Sequence, residues 1–313
     1  MKADAVFEGG GMRAIGIVGA LTYFETQEYE WQRLAGTSAG AVIASLLAAG
    51  YNAKELKKIL IEMNFKDFLD KDGIQKLPLL GKALGFVLQK GIYSGDYFED
   101  WISKLLKAKG VRKFKDVSLN GESRLKIIAS DITLRKTLIL PDSLVEYGID
   151  PMNFPIAKAI RMSISIPFYF KPVKFIHAHG KSYIVDGAVC CNFPISIFDI
   201  HGTPRWPTIG FKFDTPEISN TRLGKTDPLS FLLDIANTLS VEKNREWLKD
   251  ENLVRTVLIP TEGVSPTEFN IYANKALRLF KSGYRSAAKF HSKWCFEDYV
   301  RSYRCINANT DNS

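Results

Sequence analysis

The chain has 313 residues, 46% hydrophobic and 24% charged, a balance that excludes a disordered or low-complexity protein and allows one large α/β domain or two small ones. Its four cysteines, at 190, 191, 295 and 305, lack zinc-type spacing and fit reduced thiols in a cytosol. The net charge of +8 suits nucleic acid, an anionic membrane surface or acidic substrates, but no nucleic-acid motif accompanies it. Apart from runs such as KAKGVRKFK (107–115) and KSGYRSAAK (281–289), the basic residues are dispersed and read first as solvated helix faces.

In chain order, ADAVFE (3–8) predicts a short buried strand, GGGMR a loop, and residues 14–26 an apolar helix carrying Gly16 and Gly19. Lys2 followed by AIGIVGALTYF imitates a leader peptide, but Asp4, Glu8 and the glycine run interrupt it, and no apolar run is long enough to span a bilayer. WQRLAG (31–36) leads a second strand to Ser38, after which AGAVIASLLAAG has the length of a buried helix stopped near Gly50. Helical spacing returns at 53–63 and at 93–110, the latter behind a Ser94 to Asp96 cap. Between them, residues 65–92 mix Phe, Leu, Gly and Pro without a period and read either as a lid or as a packed irregular excursion.

Two paired strands at 124–133 and 136–142 precede a helix at 154–163. A short apolar run, 182–185, ends on Asp186-Gly187, and further strands are expected at 207–213 and 252–260. Helices are expected at about 228–248 and 266–300, the second opened by a capping box of Ser265, Pro266 and Glu268. Strands alternating with helices predict an α/β fold with a mostly parallel central sheet flanked by helices on both faces. One domain is expected through residue 305, with a polar tail at 306–313.

Gly36-Thr37-Ser38-Ala39-Gly40 has the G-x-S-x-G form that turns a strand sharply into a helix and exposes a serine hydroxyl. A small residue at a tight corner is the competing reading. Gly9, Gly10 and Gly11 can offer N–H groups to an oxyanion, with Arg13 adding positive charge nearby. A phosphate-binding loop is the alternative, yet the segment lacks both the G-K-[ST] ending and the G-x-G-x-x-G spacing. The chain has only His177, His179, His201 and His291 as imidazole bases. A Ser, acid, His order would need His201, in a polar loop, or His291, on an amphipathic helix, and neither sits in a motif. Asp186 closes an apolar strand and is followed by Gly187 and Ala188, so it can act as base if burial raises its basicity; a turn aspartate capping Gly187 is the plain alternative. Phe168, Tyr169 and Phe170 read as core aromatics ahead of an acyl-chain wall, and Cys190 and Cys191 as buried small hydrophobes.

Taken in order, Gly9 to Arg13, Gly36 to Gly40 and Asp186-Gly187-Ala188 resemble the patatin-like phospholipase family. IIASDIT, AIRMSISIPFYFKPV, VDGAVCCNFP and KGIYSGDYFEDWI extend the resemblance over most of the chain. Ala14 stands where glycine is common, and D-G-A replaces D-G-G. The resemblance implies a three-layer sandwich and a Ser38-Asp186 dyad without histidine. It further implies an oxyanion hole at Gly9, Gly10, Gly11 and Arg13, elbow glycines at Gly36 and Gly40, and no metal or organic cofactor. The implied reaction is acyl-ester hydrolysis of phospholipase A or lysophospholipase type through an acyl-serine, with lipid transacylation or an idle lipid-binding module as alternatives. The implied partners are a phospholipid or other acyl ester and, transiently, an anionic membrane surface, for a cytoplasmic protein without nucleic acid.

Overall fold

Strand β1 (Lys2–Phe7) buries every residue but the first, as expected of a strand covered on both faces. It lies inside the main sheet of a computed structural model whose described residues are 1–63, 91–214, 248–265, 268 and 272–304. On one side β1 pairs in parallel with β2 (Glu30–Thr37), which pairs in parallel with β6 (Leu125–Asp131). On the other it pairs with β11 (Thr208–Asp214), followed by β12 (Thr256–Pro260), again in parallel. Three antiparallel strands complete the sheet: β7 (Lys136–Leu140), β10 (Gly180–Asp186) and β9 (Val173–His177). β3 (Gly91–Tyr93) pairs with β8 (Phe168–Phe170) apart from it, and β4 (Ser118–Leu119) with β5 (Glu122–Ser123).

The pairing around β6 positions the site. β7 occupies one edge of β6 from Ile127 to Asp131, so β2 and β10 must share the other. There Thr37 sits opposite Ile128 and Asp186 opposite Ala129. Because β2 runs with β6 and β10 against it, their C-terminal ends meet head to head, which brings residue 38 beside residue 186.

Among the described residues the α-helices are α1 (Ala14–Thr26), α2 (Ala39–Ala48), α3 (Ala53–Glu62), α4 (Asp96–Ala108), α5 (Ile156–Ser163), α6 (Asp250–Leu253), α7 (Ala273–His291) and α8 (Phe296–Tyr303). Ala3, Ala5, Phe7, Leu34, Leu125 and Ile127 share one continuous apolar core with α1 through α5. Val6 and Ala35, pointing the opposite way by strand alternation, pack against Phe193, Ile195 and Phe198 of an irregular segment. α1 and α7 touch backbone to backbone: a Cβ on Gly19 would run into the Phe280 carbonyl, and one on Gly283 into the Gly16 carbonyl. Asn52 and Glu55 form a reciprocal capping box on α3, each bond 2.9 Å.

Two expected elements are shorter than predicted. The Ser265–Glu268 pair forms, with the Ser265 N–H 3.2 Å from Glu268 Oε2, but α7 begins at Ala273 and stops at His291. α8 restarts at Phe296, and beyond its end Arg304 reaches Asp199 at 2.7 Å and Tyr299 Oη at 2.9 Å. Residues 252–255, expected in β12, instead end α6 and turn, since Asn252 Oδ1 accepts from the buried Arg255 and its carbonyl from Thr256 Oγ1. Residues 64–90, 215–247 and 305–313, which include nearly all of the 65–92 segment, most of the helix expected at 228–248 and the tail, lie outside the described residues. Among the described residues no helix is long and apolar enough to cross a membrane.

Candidate active site

Ser38 holds φ 54° and ψ −123°, a left-handed strain that a non-glycine residue adopts only under tertiary constraint. The flanking glycines permit it through close approach: a Cβ on Gly36 would strike the Gly40 backbone, and one on Gly40 would lie 2.7 Å from the Glu8 carbonyl oxygen. The turn aims Ser38 Oγ at Asp186, donating to Oδ2 at 2.7 Å. Asp186 is held by three further groups. Its N–H donates to the Ser165 carbonyl at 2.9 Å, Oδ1 accepts from the Ala188 N–H at 2.8 Å, and a Cβ on Gly187 would strike the Ile128 carbonyl. Asp186 is 3% exposed, and burial pushes its carboxyl up to about 6, opposed by the bonds from Ala188 and Ser38.

No histidine joins this pair among the described residues. His291 Nδ1 meets Tyr23 Oη at 3.2 Å, His177 Nε2 meets Ser182 Oγ at 3.2 Å, and His179 and His201 are exposed. Nor is any group of three or more His, Cys, Asp or Glu side chains placed to hold a metal among them.

The glycine loop lies against the serine, with Gly9 so close that a Cβ there would sit 3.2 Å from Ser38 Cβ. Asn192 fixes Gly9 from both directions: its carbonyl accepts the Gly9 N–H and its Nδ2 donates to the Gly9 carbonyl, both at 3.2 Å. Within this glycine run the N–H groups without a partner among the described residues are therefore those of Gly10 and Gly11. Arg13 anchors the loop from behind, its Nε donating to the Val264 carbonyl at 2.8 Å. Ser38 and Gly11 face a pocket whose other walls are apolar, including Val42, Leu60, Phe98 and Ile164.

The sequence profile described as patatin-like phospholipase matches residues 5–199, and the glycine loop, the elbow and Asp186 all fall within the match. The chain belongs to the patatin-like phospholipase family. It is 34% identical over 299 residues to the uncharacterized Bacillus subtilis (strain 168) protein YqhO, covering 95% of this chain and 100% of that one. It is 26% identical to the probable lipid hydrolase 463L of Invertebrate iridescent virus 6, over 61% of each. Among solved structures, VipD from Legionella pneumophila is similar in fold, with a TM-score of 0.51 and 16% identity over 95% of this chain and 67% of that chain.

In this patatin-like chain the residues that sequence reasoning missed are polar groups carried by α5 and the segment after it. Ser163 Oγ accepts the Ser38 N–H at 2.9 Å and donates to the Ile128 carbonyl at 2.5 Å, so it ties the strained turn to β6. Arg161, 3% exposed, donates to Ser165 Oγ at 2.5 Å, to the Lys171 carbonyl at 3.0 Å and to the Ser94 carbonyl. It thus joins the segment that holds Asp186 to β8 and the start of α4. A buried arginine between apolar helix positions was the available signal, since such a charge needs several partners.

Two expectations need correction. Tyr169 and Phe170 line the pocket with Ser38 instead of only filling the core, because β8 leaves the main sheet to pair with β3. Cys190 and Cys191 are half-buried, not buried: both N–H groups turn back to the Gly187 carbonyl, at 3.0 and 2.8 Å, in a tight surface turn.

Proposed function

We propose that this chain is a lipid acyl hydrolase of phospholipase A or lysophospholipase type, with Ser38 as nucleophile and Asp186 as its base. The supporting observation is the 2.7 Å Ser38–Asp186 hydrogen bond at the wall of an apolar pocket. A carboxyl that titrates near 6 is ionised at neutral pH yet more basic than a solvated aspartate, which suits proton transfer from a hydroxyl. Ser38 Oγ attacks the ester carbonyl carbon as its proton passes to Asp186. The Gly10 and Gly11 N–H groups receive the oxyanion, assisted by the N-terminus of α2, which starts at the next residue. Collapse expels the lipid alkoxide, which takes the proton from Asp186, and leaves an acyl-serine. Water then gives a proton to Asp186 and attacks, and the fatty acid leaves as the proton returns to Ser38. Every proton in this cycle is carried by Asp186.

Fatty-acid release from mixed anionic and zwitterionic phospholipid vesicles, measured for the wild type beside Ser38→Ala, tests this reading. Release confined to the wild type is the expected result. Transfer of the acyl group to an added alcohol in preference to water would reassign the chain as a transacylase. Vesicle binding without turnover would leave a lipid-binding module.

A further inference from the structure

Helix α7 carries charge of one sign. Between Ala273 and His291 it bears Lys275, Arg278, Lys281, Arg285 and Lys289 and no acidic residue. Lys275 is engaged by Glu268 at 2.6 and 2.8 Å, while the other four have no carboxylate partner among the described residues. Leu279, Ser282, Gly283 and Ala287 form the buried side of the helix. On the outer side Leu277, Lys281, Tyr284 and Arg285 follow at i, i+4, i+7 and i+8, so two large apolar side chains, 47% and 37% exposed, lie among the cations.

This face continues to the pocket. The Lys57 ammonium of α3 lies 4.1 Å over the Phe280 ring, and Leu60 of α3 packs with Leu279 and Phe280. Leu60 and Met63 line the pocket that Ser38 faces, and Ile61 between them is 61% exposed. Lys54 and Lys57 add cations on α3, where Lys58 is paired with Glu62 at 3.9 Å and Glu55 with Lys109. The other basic run is different in kind: Lys113 and Lys115 sit beside Asp116, and Lys113 beside Asp150.

We infer that the α3–α7 face is the docking surface for an anionic phospholipid bilayer, its cations meeting lipid headgroups and Ile61, Leu277 and Tyr284 entering the interfacial layer. Charge complementarity selects the bilayer, and Leu60 and Met63, which line the pocket, lie on the same helix and its end as the exposed Ile61. The inference rests on the acyl-hydrolase reading for the identity of what enters the pocket. A cation held at an anionic leaflet is worth about fivefold in partitioning, so neutralising three lowers binding by about a hundredfold, with an effect that shrinks as salt rises.

The test is sedimentation of full-length Ser38→Ala protein, which leaves the lipid intact, with phosphatidylcholine vesicles containing about a third phosphatidylglycerol. The added triple substitution Arg278→Gln, Lys281→Gln and Arg285→Gln is expected to remove about 99% of the binding strength. Lys107→Gln, Arg112→Gln and Lys115→Gln, which alter net charge equally, are expected to change it far less. Equal losses in the two triple variants would reduce the attraction to net charge and overturn the assignment, as would absence of binding by the parent protein. Hydrolysis of a soluble short-chain ester by the wild type, lost in Ser38→Ala, reports on the catalytic reading without a membrane, so the two failures are distinguishable.

Discussion

Asp186→Asn is expected to stabilise the fold while it removes the reaction. The wild-type carboxyl titrates at about 6 in the folded chain against 3.8 when solvated. At about 1.4 kcal/mol per pH unit, that difference corresponds to about 3 kcal/mol. The folded state holds the proton more tightly, so below pH 3.8 the site imposes no penalty. Between 3.8 and 6 the folded chain binds more protons than the unfolded one and wild-type stability falls as pH rises. Above 6 the full penalty applies. Asparagine does not titrate, and its carboxamide keeps the acceptor for the Ala188 N–H, 2.8 Å away, while the amide can donate to Ser38 Oγ, 2.7 Å away. Urea unfolding of both proteins at pH 4, 5, 6, 7 and 8 should therefore give a stability difference that grows in favour of the variant by about 3 kcal/mol and then levels. Ester hydrolysis by the variant should fall by about 10²- to 10⁴-fold, the range for loss of a general base. A difference independent of pH, or a variant less stable than wild type at pH 7, would refute the claim that this aspartate is ionised at a desolvation penalty.

The same ionisation sets the rate: kcat/KM on a soluble ester should rise tenfold per pH unit below about 6 and flatten above it, and a flat profile from pH 4 to 8 would exclude Asp186 as the base. Ser163→Ala strips the Ser38 N–H and the Ile128 carbonyl of their shared partner, and should lower kcat with little change in KM and destabilise the fold by about 1–3 kcal/mol, read by steady-state kinetics and urea melts. Gly283→Ala forces a methyl group against the Gly16 carbonyl and should cost about 1–3 kcal/mol or more in thermal or urea unfolding, with KM for a soluble ester nearly unchanged.

The sequence made the candidate site residues visible because their constraints are local. A serine at positive φ between glycines, a glycine run at the end of a strand and an aspartate closing an apolar strand each leave a short motif. The parallel strands and α1 through α5 were legible for the same reason, as periodic apolar patterns bounded by glycine or caps. What stayed hidden depends on contacts distant in sequence. Ser163 is an ordinary helix-end serine until β6 is placed beside it, and Asn192 is an ordinary loop residue until it grips Gly9 from both sides. Apolar pattern also does not distinguish a side chain that fills space from one that borders it, so Tyr169 and Phe170 read as core. The end of α8 is fixed by a contact equally distant in sequence: Asp199 accepts Arg255 at 2.6 and 2.7 Å and Arg304 at 2.7 Å.

On the proposed reading, the strand arrangement also accounts for a carboxylate serving where an imidazole is the usual base. β2 and β10 end at neighbouring positions on one edge of β6, Thr37 opposite Ile128 and Asp186 opposite Ala129, so their last side chains start close together. A serine at the end of one and an aspartate at the end of the other already span the gap at 2.7 Å. An intervening ring would have to push the strand ends apart, and Gly187 packs so tightly on the Ile128 carbonyl that not even a methyl group fits there. On the proposed reading, the antiparallel entry of β10 sets the chemistry as well as the topology: it places a buried carboxylate, its basicity raised by burial, on the Oγ of Ser38, a residue that also lines the apolar pocket.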